Sequence, residues 1–214
     1  MKKILFVLMT GIILYVGLLL SCSKPEEDDC GPFTNRFKVN GINMKCLKLI
    51  DYDSLSNDYQ FDSISSNDTL SIDNFFIELD PVKEFYIAGN SIKRFSIISE
   101  AYACSPPIPF SETSIDYITM TCNKDYDSSH KAGVDLISKF DVIVLDIYKN
   151  IINYRLSLKD FIYLRPNAKD RLYLVLNKEP EKSDSYKFEI TYMQTQNSNQ
   201  ALFKMETKEI KIKI

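Results

Sequence analysis

The chain has 214 residues, of which 45% are hydrophobic, and its 26 basic and 29 acidic residues give a net charge of −3 at pH 7. This length suits one domain, or at most two small ones, and the hydrophobic content is ample for a packed core. A mildly acidic chain without a basic cluster is a poor nucleic-acid binder, because phosphate contacts require concentrated lysine and arginine.

The amino terminus has the three parts of a secretory signal in the required order. Lys2 and Lys3 provide the positive start, and the run 4–20 that follows contains no charged residue. This run is shorter than the roughly 20 apolar residues that a spanning helix needs. We therefore predict a cleaved signal peptide over residues 1–21.

The tetrapeptide Leu19-Leu20-Ser21-Cys22 closes this run. It resembles the bacterial lipobox, in which the cysteine becomes the lipid-bearing first residue of the mature protein. The alternative is an ordinary signal with a cysteine nearby by chance. Acyl chains on Cys22 would contribute about 0.8 kcal/mol per buried methylene. The resemblance implies a protein that is anchored to the membrane by lipid and does not span it.

An acidic tether, residues 22–35, follows the lipidation site. Its stretch 23–29 reads Ser-Lys-Pro-Glu-Glu-Asp-Asp, which cannot bury apolar area and should be solvated. The stretch also resembles the surface-export signal of Bacteroidota lipoproteins, although a plain linker explains it equally well. We therefore expect an outer-membrane lipoprotein, either surface-exposed or facing the periplasm, with a single domain over residues 36–214.

Four cysteines remain once Cys22 is assigned to lipid: Cys30, Cys46, Cys104 and Cys122. An even number in an exported protein predicts two disulfides, in one of three connectivities that the sequence does not separate. A zinc site is disfavoured because no pair has Cys-x-x-Cys spacing and the chain has one histidine.

Alternation of apolar and polar residues dominates from Arg36 onward and predicts strands. The clearest runs are 94–103, 117–122, 142–147, 171–176 and 186–192. Because the start of run 142–147 is apolar on both faces, that strand should be central in its sheet. Many short strands predict a mainly β fold, an antiparallel two-sheet sandwich for which an immunoglobulin-like topology is one arrangement.

The alternation of apolar and polar residues changes phase near the carboxyl terminus. Phe203 and Met205 alternate on one face, but Ile210, Ile212 and Ile214 are in the opposite register. A pattern of period two shifts phase when a residue is inserted, so the sequence predicts a β-bulge near residues 208–209. Four lysines of this region should face solvent and discourage edge-to-edge pairing: Lys204, Lys208, Lys211 and Lys213.

Two short helices are predicted, one over Val134–Phe140 after Gly133 and one over Ser157–Ile162, where Ser157 could cap the amino end. Residues 51–74 are rich in Asp, Ser and Asn and predict a long loop or irregular excursion.

No catalytic residue is assigned by motif, and no cofactor is implied. A Ser-His-Asp or Cys-His arrangement would have to use His130, which lies in a polar turn, so a surface histidine is the simpler interpretation. The oxygen side chains of Asn123, Asp125 and Asp127 resemble the start of a calcium loop. Val134 occupies its twelfth position, so a turn in which these side chains cap their own backbone is favoured.

Three tripeptides of the polar excursion share the form Asp-Ser/Thr-apolar. They resemble the O-glycosylation acceptor of Bacteroidota exported proteins and would place sugars on Ser54, Ser63 and Thr69. Chance in a stretch rich in Asp and Ser is the equal alternative.

Residues 101–107, 123–127 and 130–136 together resemble an uncharacterised family of Bacteroidota lipoproteins of about this length. The resemblance implies no activity and no functional residues. It agrees with the predicted membrane address.

These observations favour a binding or accessory β-sandwich module with a glycan or protein ligand. Thirteen tyrosines could serve a sugar site, although the chain has no tryptophan. The alternatives are a structural or adhesive subunit that assembles by strand addition, and a carbohydrate-active enzyme.

Overall fold

The computed structural model describes residues 36–53, 58–65, 67–86, 110–146, 151–168, 171–196 and 198–214. All of them belong to one compact unit, Thr34–Ala88 with Ile108–Ile214. This described part contains one α-helix, α1 (Leu158–Tyr163). Its strands are β1 (Arg36–Asp53), β2 (Asp58–Ser63), β3 (Thr69–Leu70), β4 (Phe75–Tyr86), β5 (Phe110–Ser111), β6 (Ser114–Cys122), β7 (Phe140–Asp146), β8 (Ile151–Ser157), β9 (Leu172–Leu176), β10 (Asp184–Tyr186), β11 (Phe188–Gln196), β12 (Asn199–Glu206) and β13 (Ile210–Ile212).

The strands form three sheets. A seven-stranded sheet has the order β2-β1-β4-β9-β7-β8, with β5 added parallel to β1. Two three-stranded sheets have the orders β10-β13-β3 and β12-β11-β6. Apart from the β1–β5 and β3–β13 pairs, the neighbours are antiparallel. The prediction of a mainly β, antiparallel sandwich is confirmed, with the smaller part divided between two sheets; the immunoglobulin-like topology stays a prediction.

The main core lies where the three sheets face one another. Phe188 of β11 contacts the rings of Phe75 and Phe140 from the seven-stranded sheet, with centroids 5.8 and 5.7 Å apart. All five residues of β9 are buried, because β9 lies between β4 and β7 and is covered on both faces. The central position predicted for run 142–147 is likewise confirmed, since β7 lies between β9 and β8.

Ser157 caps α1, as predicted. Its Oγ accepts a hydrogen bond from the backbone N–H of Asp160 at 3.1 Å, which satisfies one of the free donors of the first turn. The helix predicted over Val134–Phe140 is wrong. Only Ile137–Lys139 is helical there, as a single 3-10 turn, and Phe140 already begins β7.

The β-bulge predicted near residues 208–209 is also wrong, because the phase changes where the chain passes from one sheet to another. β12 pairs with β11, whereas β13 pairs with β10 and β3. The connection is fixed at Thr207, whose N–H donates to Phe188 O and whose Oγ1 accepts from Phe188 N, both at 2.9 Å. The four predicted lysines are exposed.

Residues 51–74 are not an irregular excursion. The chain turns back and forms β2, which pairs with the end of β1 from Leu47↔Ser63 to Asp53↔Asp58. Since β4 meets β1 only as far as Lys48, the far half of this hairpin extends beyond β4. The predicted strand 94–103 lies outside the described residues.

Candidate functional site

The residues singled out by sequence lie far apart along the chain. Cys46 is in β1, Cys122 ends β6, Ser63 ends β2 and Thr69 begins β3. The predicted lipidation site and three other predicted positions lie outside the described residues: Cys22, Cys30, Ser54 and Cys104.

Cys46 and Cys122 are free thiols in the structure. The structure joins neither of them in a disulfide, and they lie on strands of different sheets. The predicted framework also involves Cys30 and Cys104, which lie outside the described residues, so it stays a prediction. Burial raises the pKa of Cys46 to about 11 and also raises the pKa of Cys122, whose Sγ donates to Lys124 O at 2.8 Å. A raised pKa disfavours the reactive thiolate, so we expect both thiols to react slowly at neutral pH.

Ser63 and Thr69, two of the three proposed glycosylation positions, are exposed, and both lie in strands. Ser63 is opposite Leu47, and Thr69 is opposite Lys211. An exposed hydroxyl is open to modification, and the modification stays a prediction.

The oxygen atoms of the 123–127 stretch are used by the protein itself. Asn123 Oδ1 accepts from Lys187 N at 2.8 Å, and the Asp125 carboxylate accepts from Ala132 N and Lys131 Nζ, both at 3.0 Å. Asp125 therefore bonds its own loop, as the self-capping interpretation expects, whereas Asn123 bonds a distant strand connection. Nowhere in the described part do three or more His, Cys, Asp or Glu side chains gather to hold a metal ion.

Asp127 and His130 form the most enzyme-like arrangement of the described residues. Asp127 Oδ1 lies 2.7 Å from His130 Nδ1 and accepts from the backbone N–H groups of Ser129 (2.9 Å) and His130 (2.8 Å). Asp127 Oδ2 lies 2.8 Å from the buried Lys139 Nζ. These donors, Lys139 first and His130 second, hold the pKa of Asp127 well below its usual range.

A carboxylate that orients an imidazole is half of a nucleophilic triad. The other half is missing from the described residues, where no serine or cysteine is hydrogen-bonded to the His130 ring. The carboxylate instead closes its own turn and neutralises Lys139. We interpret the arrangement as the stabilising centre of the β6–β7 loop.

A second apolar surface lies on the outer face of the seven-stranded sheet, the face opposite the main core. Its buried members are Phe76, Ile143, Tyr173 and Val175. They alternate along their strands with the core-facing residues, so the strands of the sheet centre are apolar on both faces. Four half-buried residues of the β1–β2 hairpin continue this surface: Leu47, Leu49, Tyr59 and Phe61.

Aromatic rings cross this face in a row. The ring of Phe61 is nearly parallel to that of Tyr59 (centroids 5.8 Å, planes 4° apart) and to that of Tyr173 (5.0 Å, 13°). Phe76 meets Phe61 edge-on at 5.1 Å, and Tyr52 contacts Tyr59 at 4.6 Å. In such offset stacks the ring faces cover one another.

Charged residues lie beside the aromatic row near the centre of the seven-stranded sheet. Glu78 is 4% exposed, and its carboxylate lies 3.2 Å from Lys45 Nζ and 3.5 Å from Arg171 Nη1. Tyr173 OH donates to Glu78 at 3.1 Å, and Arg171 also contacts Asp80 at 3.2 Å. A buried carboxylate is costly unless it is paired in this way.

The row opens to solvent at the hairpin. Ile50, at the register shift of β1, is 61% exposed, and Tyr52 is 41% exposed. We call Ile50, Tyr52, Tyr59 and Phe61 the hairpin surface. This surface is hard to predict from sequence because residues 51–62 are mostly polar and include four aspartates, although the alternation of Tyr59 and Phe61 with polar residues is the signal of a strand.

No helix in the described ranges is long and apolar enough to cross a membrane. Comparison with known proteins gave no match: no family model, no curated protein and no solved structure is significantly similar to this chain.

Proposed function

We propose that the chain is an exported lipoprotein whose β-domain binds a protein partner through the hairpin surface. The observation that carries this proposal is the exposure of Tyr52, whose ring contacts Tyr59 at the end of the apolar row, together with the exposure of Ile50 two residues before it in β1. Contiguous exposed apolar side chains on a soluble domain are typical of interaction sites. Binding would remove the exposed apolar side chains of the hairpin surface from contact with water.

A protein ligand fits this surface better than a glycan. A flat sugar platform requires aromatic faces that are open, but Phe61 is half-buried and stacks with both Tyr59 and Tyr173. Tyrosine and phenylalanine rings near an arginine are typical of protein interfaces. Arg155 lies across the sheet from Ile143, and its Nε contacts Asp141 at 2.8 Å.

Charge further defines the partner. Residues 49–62 contain four aspartates and no lysine or arginine. An acidic hairpin is repelled by an anionic membrane surface and favours a partner that places basic groups around an apolar centre. The proposed partner therefore carries basic and apolar side chains on one face.

The lipid explains how such a domain would be presented. The signal over residues 1–21 and the lipobox-like segment ending at Cys22 support export and acylation, and the acidic stretch that follows supports a solvated tether. We place the domain in the outer membrane, exposed at the surface or facing the periplasm. Anchoring near its partner would raise the effective concentration of the two.

The test uses a photo-crosslinking amino acid in the intact lipoprotein, in the cells that make it. One version carries the crosslinker at position 52 and a matched control carries it at Tyr163, which is 87% exposed at the end of α1. We expect a protein adduct of one discrete size from position 52 and none from position 163. The adduct should weaken when Ile50→Asp is added.

Absence of an adduct from position 52, or the same set of adducts from both positions, would overturn the proposal. Binding to soluble polysaccharides in affinity gels that is lost on Tyr52→Ala would overturn it in favour of the glycan alternative.

A further inference from the structure

The edge of the β12-β11-β6 sheet offers a second interaction surface, separate from the hairpin. β12 pairs with β11 over eight consecutive residues, from Gln196↔Asn199 to Glu189↔Glu206, without a register shift. Within the described ranges no strand pairs with its other edge. Every second residue of an edge strand directs its N–H and C=O away from the sheet, so β12 is a template for another strand.

The two faces of β12 differ. Ala201, Phe203 and Met205 are partly buried toward the core, whereas Leu202 is 50% exposed among polar residues on the solvent side. β12 carries one exposed lysine, Lys204, but its central exposed residue is the half-exposed Leu202, which does not oppose the pairing of another strand as a charge there would.

We propose that two copies of the chain pair antiparallel through β12, with Leu202 at the two-fold axis. In this register Leu202 is opposite Leu202, Gln200 is opposite Lys204, and Ala201 is opposite Phe203. Cross-strand neighbours point to the same side, so solvent-side residues pair with solvent-side residues and the core faces stay continuous. The β12-β11-β6 sheets of the two copies then form one continuous sheet of six strands.

Three properties favour a second copy as the occupant. The register pairs residues 199–205, seven of the eight in β12, it puts small Ala201 beside large Phe203, and it brings no like charges together. Moving the axis by two residues puts Lys204 opposite Lys204, which is unfavourable. A two-fold contact is also self-complementary, so one strand provides both sides of it.

Cysteine cross-linking of the full lipoprotein in its membrane tests the register. Leu202→Cys should form a disulfide-linked dimer on mild oxidation, since directly opposed strand residues lie within disulfide range. Mixed expression of Gln200→Cys and Lys204→Cys should give a linked heterodimer, whereas Leu164→Cys, a 65% exposed leucine after α1, should not form a dimer. The unsubstituted chain controls for its natural cysteines.

Light scattering of the full lipoprotein in detergent tests the assembly itself. The unsubstituted chain should have the protein mass of a dimer, Leu202→Lys that of a monomer, and Leu164→Lys that of a dimer. Thermal melts should show both lysine variants to be folded, because both positions are exposed. A monomeric unsubstituted chain, or a dimer that Leu202→Lys leaves intact, would overturn the proposal without affecting the hairpin surface.

Discussion

Replacing Asp127 with alanine is expected to destabilise the domain by about 3–5 kcal/mol, the cost of leaving one member of a buried ion pair alone. The side chains of Asp127 and Lys139 are 10% and 9% exposed, and their charged atoms are 2.8 Å apart. The substitution also leaves the backbone N–H groups of Ser129 and His130 without their acceptor.

The loss should depend on pH in a definite direction. The pKa of Asp127 is lowered in the folded protein, chiefly by Lys139 and then by His130. Its stabilisation is therefore complete above the unfolded pKa of about 3.9 and is lost as the pH falls through the folded value. The difference in unfolding free energy between wild type and Asp127→Ala should shrink below about pH 4.

Urea denaturation followed by far-UV circular dichroism measures this difference without a tryptophan, which the chain lacks. In a thermal melt the same loss corresponds to about 6–20 °C. Lys139→Met is the matched control: Asp127 then keeps His130 and two backbone donors, so the loss should be smaller. A change within about 0.5 kcal/mol for Asp127→Ala, or a larger loss for Lys139→Met, would refute the reasoning.

Three further changes test other parts of the fold. Ser157→Ala removes the helix cap and should cost about 0.5–2 kcal/mol, visible in the urea midpoint; an unchanged midpoint would argue against the cap. Thr207→Val keeps the side-chain shape but leaves the N–H of Phe188 unsatisfied, for an expected loss of about 1–3 kcal/mol in the same assay. Peptide mapping at pH 8 should find Cys46 and Cys122 unmodified by iodoacetamide until the protein unfolds, because burial raises the pKa of both thiols. Rapid native modification, or a disulfide-linked peptide containing either cysteine, would contradict this.

Several elements follow from local pattern alone. The start of β7 is apolar on both faces, and this pattern predicted a central strand. Such a run is favourable only when the strand has neighbours on both sides and is covered on both faces. Ser157 marked a helix start by its capping chemistry. The lysines of the carboxyl-terminal strands alternate with apolar residues and are exposed, as period two requires.

Other features depend on which strands meet, which periodicity does not contain. The phase change after Met205 fits either a bulge or a change of sheet, and tertiary pairing selects the change of sheet at Thr207. The same ambiguity divides the run 186–192 at Lys187 between two sheets. Likewise, an even count of cysteines does not reveal that Cys46 and Cys122 are separate thiols.

The candidate sites likewise include one that local sequence predicts and one that depends on tertiary pairing. The polar turn around His130 was recognisable as self-capping because aspartate side chains bond nearby backbone N–H groups, as Asp125 and Asp127 do here. The hairpin surface was not recognisable from sequence, because the aspartates outweigh Tyr52 and Tyr59 in an average of hydrophobicity over residues 51–62. Its apolar face exists only once β2 folds back on β1.

Metabolic labelling with palmitate tests the central claim, that a lipid holds this domain at the membrane. We predict that the unsubstituted chain takes up the label and sediments with membranes. Cys22→Ala should remain unlabelled, keep residues 1–21 and lose its normal processing. An unlabelled native chain, or a Cys22→Ala chain that is cut and retained like the native one, would contradict the account.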